Sequence, residues 1–131
     1  TVDKIIAEAK YDKKLQRRGK EGEALFYGRN QQTPYTGWAK GMRKNGQIRR
    51  LDQYKDGQKD GLVKVWYQNR QKRSEAKWKD GKFMTIVVWK PNGEKCPVTK
   101  VVNGNGVRTW YNDDGTEDFR VTIKDGEIVK D

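Results

Sequence analysis

Two series of turn dipeptides recur through this chain on a shared schedule. Asn45-Gly46, Asn69-Arg70, Asn92-Gly93 and Asp114-Gly115 form the first, and Asp56-Gly57, Asp80-Gly81, Asn103-Gly104 and Asp125-Gly126 form the second. In each series the second residues are 24, 23 and 22 positions apart, and the second series follows the first by 11 every time. Asn-Gly and Asp-Gly mark β-hairpins, because a type I′ turn needs positive φ at both central residues. Turns at this spacing leave strands of about 7–9 residues between them. The schedule predicts a mainly all-β fold: an antiparallel β-meander built from tandem hairpin repeats, with about 23 residues and two strands per unit. Arg70 stands where the other turns have Gly, which implies a strained turn there or one of another type.

Side chains keep the same register. Trp66, Trp89 and Trp110 lie four or five residues before their turns, and Met42 takes that place in the first unit. Tyr54, Trp78, Val101 and Ile123 each stand three residues before the second-series Gly. In the last strand Phe119, Val121 and Ile123 alternate with Asp118, Arg120 and Thr122. Such periodicity assigns the aromatics Trp66, Trp78, Trp89 and Trp110 to packing between units rather than to stacking on a ligand. The units fall at about 37–60, 61–84, 85–105 and 106–131, preceded by a partial one at 22–36. Before them, Val2, Ile5, Ile6 and Ala9 recur at helical spacing, predicting a short amphipathic helix with Asp3 near its start that caps one end of the sheet. Residues 1–21 thus read as this helix followed by a basic linker, Lys13 to Lys20, and residues 22–131 as the β-repeat domain.

Composition decides between order and disorder. Only 33% of the 131 residues are hydrophobic and the mean hydropathy is −1.16, values that suit a disordered chain. Five Trp, six Tyr and three Phe do not, since buried rings remove large apolar areas from water. With no His in the chain, the usual general base, the His-dependent nucleophile systems and the commonest transition-metal ligand are missing. Asp52, Glu75, Glu94 and Glu117 occupy no shared repeat position and form no paired constellation. No enzyme, metal site or cofactor is expected. Cys96, the sole cysteine, reads as a half-buried small apolar residue, with nothing basic or helical nearby to lower its thiol pKa. No stretch approaches the roughly 20 apolar residues that span a bilayer. The chain starts at Thr1, so either a signal peptide has been removed or the boundary is arbitrary, and both exported and cytoplasmic locations stay open.

Gly61-Leu62 through Trp66-Tyr67-Gln68-Asn69, together with Tyr54 to Gly57 and Trp78 to Gly81 in the pattern Tyr/Trp-Lys-Asp-Gly, resembles the MORN-variant repeat of bacterial YwqK-type antitoxin-like proteins. Leu25 to Tyr27 with Thr33-Pro34-Tyr35-Thr36-Gly37 is similar to the way such arrays begin, and Lys90 to Thr99 resembles a C-terminal unit of some members. The resemblance covers about residues 22–131, with departures at Arg70 and at Val101-Val102-Asn103-Gly104. It implies a non-enzymatic binding or spacing module, antitoxin-like in the family's own label, and brings no catalytic residues.

The net charge of +11 is uneven. Residues 37–82 hold 14 Lys and Arg against 5 Asp and Glu, whereas residues 83–131 hold 7 against 8. Arg43, Lys44, Arg49, Arg50, Lys72, Arg73, Lys77 and Lys79 are the candidate binding residues. Arg49 and Arg73, each three beyond its turn, are expected to line up on one face, with Arg50 on the other. A basic sheet face of this kind suits an acidic protein partner or neighbouring subunit. It also suits nucleic acid or anionic lipid, or serves simply to keep a thin sheet soluble. Self-association through an unpaired edge strand is a further option.

Overall fold

The computed structural model describes residues 1–129. The chain runs through α1 (Val2–Glu8), β1 (Lys10–Tyr11), a single 3₁₀ turn (Asp12–Lys14), β2 (Leu15–Arg18), β3 (Leu25–Gly28), β4 (Gly37–Met42), β5 (Ile48–Lys55) and β6 (Gln58–Trp66). It continues through β7 (Lys72–Lys79), β8 (Lys82–Val88), β9 (Lys100–Val102), β10 (Asn105–Tyr111), β11 (Glu117–Lys124) and β12 (Glu127–Ile128). Ten strands form one sheet in the order β1-β4-β5-β6-β7-β8-β9-β10-β11-β12, and β2 pairs with β3 in a separate ribbon. The large sheet is mixed, because β1 runs parallel to β4 while the remaining neighbours are antiparallel.

The two series of dipeptides make different turns. In the second, both central residues have positive φ (Asp56 50° and Gly57 83°; Asn103 51° and Gly104 80°), the geometry expected of type I′. In the first, only the second residue does: Gly46 at 88°, Arg70 at 73°, Gly93 at 92° and Gly115 at 91°. There Gly46 N–H donates to Arg43 O and Arg43 N–H to Gln47 O, so the loop is a β-turn followed by one left-handed residue, not type I′. The Asn or Asp in these loops serves another purpose. Its side-chain oxygen accepts from the backbone N–H two residues on, at Gln47, Gln71, Glu94 and Thr116. Arg70 therefore keeps the common loop shape at the cost of a left-handed non-glycine residue.

The second-series turns also bond along the sheet. Gly57 N–H donates to Tyr35 O, Gly81 to Lys59 O, Gly104 to Met84 O and Gly126 to Gly104 O. The backbone N–H just before each of three of these glycines finds a side-chain oxygen about one unit earlier: Asp56 on Thr36, Asp80 on Asp60 and Asp125 on Asn105.

The core follows one lateral row. Asp52, Val63, Ala76, Ile86, Val101, Gly106 and Ile123 oppose one another across seven strands and so share a face. The apolar members of the row from Val63 onward are at most 6% exposed. At its N-terminal side the row ends on Tyr54, which packs against Phe26 of β3 and Tyr35.

Helix α1 is capped by Thr1, whose hydroxyl accepts from Lys4 N–H at 3.2 Å, with Asp3 in its first turn. Its last turn holds no basic residue of its own. Lys40 of β4 fills that role from the sheet, its ammonium donating to Ile6 O at 2.8 Å. The stretch Lys13 to Lys20 is not a plain linker, since Leu15–Arg18 form β2 and pair residue for residue with β3.

Candidate functional site

The eight candidate basic residues do not gather on one face. Arg43, Lys44 and Arg49 surround an open cleft at the first-series end of the strands, with Met42, Asn45 and Gln68. Lys77 and Lys79 line a second cleft at the opposite end, with Lys55, Trp78 and Met84. Lys72 lies over the Trp89 ring at 5.3 Å and pairs with Glu75 at 3.4 Å. Arg50 and Arg73 turn inward.

The expected alignment of Arg49 with Arg73 is corrected by bulges. In β5, Met42 opposes Ile48 and Gly41 opposes Arg50, which leaves Arg49 unpaired; in β7, Trp66 opposes Lys72 and Val65 opposes Ser74, which leaves Arg73 unpaired. An extra residue breaks the two-residue alternation counted from the turn. The two arginines hold equivalent backbone places but part company: Arg49 is exposed and pairs with Asp12 at 3.6 Å. Arg73 donates from Nη2 to Tyr111 O at 2.8 Å and lies over the Tyr67 ring at 4.9 Å. Arg50, expected on the opposite face, shares the row Arg50–Val65–Ser74–Val88 beside the core row. There it grips Asp52 with two bonds of 3.1 and 3.0 Å, and Lys59 adds a third contact to the same carboxylate at 3.7 Å. Burial lowers the Lys59 ammonium pKa, an effect that nearby Asp52 opposes.

The same register argument moves a tryptophan. Met42, Trp66 and Trp89 occupy one repeat position, each opposing the residue two past the turn (Ile48, Lys72, Lys95), and the fourth member is Tyr111, which opposes Glu117. Trp110 is one residue out of step, and so faces the other way. It stacks on Phe119 at 4.7 Å and 13° and carries Arg108 over its ring at 3.9 Å. Trp78 meets Phe83 edge to face and lies under Lys59 at 5.0 Å. Trp66 lines a shallow hollow with Ile48 and Arg70.

Arg108 was not among the sequence candidates. It lies in the half of the chain without excess charge, and its signal is the two-residue spacing to Trp110 on a strand. Burial lowers its pKa to about 10, reinforced by the like charges of Arg73 and Arg50. The Nε atoms of Arg43, Arg73 and Arg108 are buried without a hydrogen-bond partner among the described residues.

Cys96 also departs from expectation. It is buried, at 5% exposure, and accepts from the Tyr111 hydroxyl at 3.0 Å beside Thr99 Oγ1 at 3.2 Å. Burial pushes the thiol up, but hydrogen bonds from Thr99, Tyr111 and the local backbone outweigh it and bring it down to about 7. Burial and this same bond push Tyr111 up to about 12.

The four carboxylates considered for chemistry are each held by cations: Asp52 by Arg50 and Lys59, Glu75 by Lys64 and Lys72, Glu94 by Lys90, and Glu117 by Arg120. Among the described residues no group of three or more His, Cys, Asp or Glu is placed to hold a metal ion. No helix among them is long and apolar enough to cross a membrane. Compared with known protein families, curated proteins and solved structures, the chain matches none.

Proposed function

We propose that this chain is a non-enzymatic interaction module of the MORN-variant type, a tandem array of hairpins whose unpaired cations receive an acidic protein. The repeat reading is supported by the bonds from Gly57, Gly81, Gly104 and Gly126 to backbone oxygens one unit earlier. The binding reading rests on one observation: of the eight candidate cations, only Arg49, Arg50 and Lys72 meet a carboxylate within the described residues. Arg43, Lys44, Arg73, Lys77 and Lys79 keep their charge for something outside the chain. A toxin is the instance that the family resemblance implies.

The test uses poly-L-glutamate as the acidic polypeptide. The protein is expected to bind it at low salt and to release it progressively as salt rises. Changing Lys44, Lys77 and Lys79 together to Ala should weaken binding by about tenfold, most of it in the association rate. No binding at low salt overturns the proposal, as does tighter binding to single-stranded oligo-dT or to anionic vesicles under the same conditions.

A further inference from the structure

Two buried guanidinium groups converge on a single short segment, Trp110-Tyr111. Arg108 approaches along β10 and lies flat on Trp110 at 3.9 Å. Arg73 reaches across from β7 to the Tyr111 carbonyl at 2.8 Å. Neither has a carboxylate within ion-pair distance among the described residues, and the Nε of each is buried without a partner. Like charges held together out of water, without a counter-ion, oppose folding. A third arginine lies close enough to act on Arg108: Arg50, which along with Arg73 lowers its pKa beyond the effect of burial.

Arg50 indicates which ligand suits this face. Its fork is filled by two oxygens of Asp52, at 3.1 and 3.0 Å, the planar two-point match that guanidinium makes with carboxylate. Arg73 and Arg108 have no such partner. A nucleobase does not fit the adjacent ring. Phe119 stacks on Trp110 at 4.7 Å and Arg108 covers it at 3.9 Å, and two occupants at those distances take opposite faces. What remains open is the donor edge of the guanidinium groups, not an aromatic surface.

We propose that Arg73 and Arg108 form the receptor for one carboxylate side chain of the acidic partner, held beside Trp110. This rests on the reading of the chain as a binder of acidic protein, and it names the site where contact is specific rather than merely electrostatic. The exposed lysines then draw the partner in, while the arginine pair fixes its register.

Poly-L-glutamate titrated into the intact chain, with Trp fluorescence as readout, separates the two levels. Arg108→Gln and Arg73→Gln are each expected to weaken binding by about tenfold or more, and the double variant by less than the product of the two. Arg108→Lys keeps the charge but loses the fork, and is expected to weaken binding nearly as much as Arg108→Gln. Lys77→Ala is expected to cost about twofold. Because Arg108→Gln removes a buried charge, its melting temperature should be no lower than that of the unaltered chain. If the unaltered chain binds and Arg108→Gln or Arg108→Lys binds equally well, the receptor site is overturned and the broader function stands. If the unaltered chain does not bind, both fall. Displacement of the glutamate polymer by inorganic phosphate at lower concentration than by acetate overturns the choice of carboxylate.

Discussion

The two ends of the sheet carry turns spelled with nearly the same letters and built on different principles. At one end, the second-series turns touch one another and the strands behind them. A Cβ placed on Gly104 meets Gly126 N at 2.8 Å and Phe83 O at 3.0 Å, both backbone atoms that cannot swing aside. At the other end, a Cβ on Gly46 or Gly115 meets nothing within 4 Å. The close-set row is braced by bonds between units, whereas each loop of the open row is braced by its own Asn or Asp. One end thus needs glycine for space as well as for conformation, and the other needs it for conformation alone. Arg70 is the natural demonstration, a large side chain at positive φ tolerated because the loop faces outward.

This contrast can be broken by substitution. The largest effect is expected for Gly104→Ala, where left-handed strain and backbone overlap combine to cost about 3 kcal/mol. Urea denaturation would register it as a lower midpoint at unchanged slope. Gly46→Ala should cost only about 1 kcal/mol, from conformation alone. Equal losses at the two sites would erase the distinction between the ends. Smallest, and opposite in sign, is Arg70→Gly. Relief of strain, offset by greater freedom in the unfolded chain, should stabilise by about 0.5 kcal/mol. A loss on that substitution would mean that the Arg70 side chain contributes more than its backbone costs.

Much of the strand layout was legible because hairpin turns are local. Asp-Gly and Asn-Gly fix where a strand ends whatever the tertiary setting, and the helix at Val2–Glu8 showed its period and its Asp3. The difference between the two turn types was not legible from the dipeptides, since it depends on which N–H the Asn or Asp oxygen accepts. The bulges at Arg49 and Arg73 were hidden for a related reason. An extra residue in one strand shows only against its partner, so counting by twos from the turn placed Arg50 on the wrong face. Short non-local pairings, such as Lys10–Tyr11 beside β4 and Leu15–Arg18 beside β3, carry too few residues to leave a pattern. The arginine at 108 was passed over because charge was tallied by segment, while its environment is set by residues from β5, β7 and β10.

The bonds from each second-series turn to the unit before it give the array a direction in time as well as in space. Each unit holds its predecessor's backbone, so the middle of the sheet can open only after a neighbour has let go. At the C-terminal side, β11 is matched by β12 over just two pairs, Ile123 with Ile128 and Lys124 with Glu127. At the N-terminal side, β4 has β1 alongside and Lys40 tied to α1. Amide exchange should therefore proceed as a front that starts at β11 and β12, with the amides of Val63, Ala76 and Ile86 among the last to trade their protons with water.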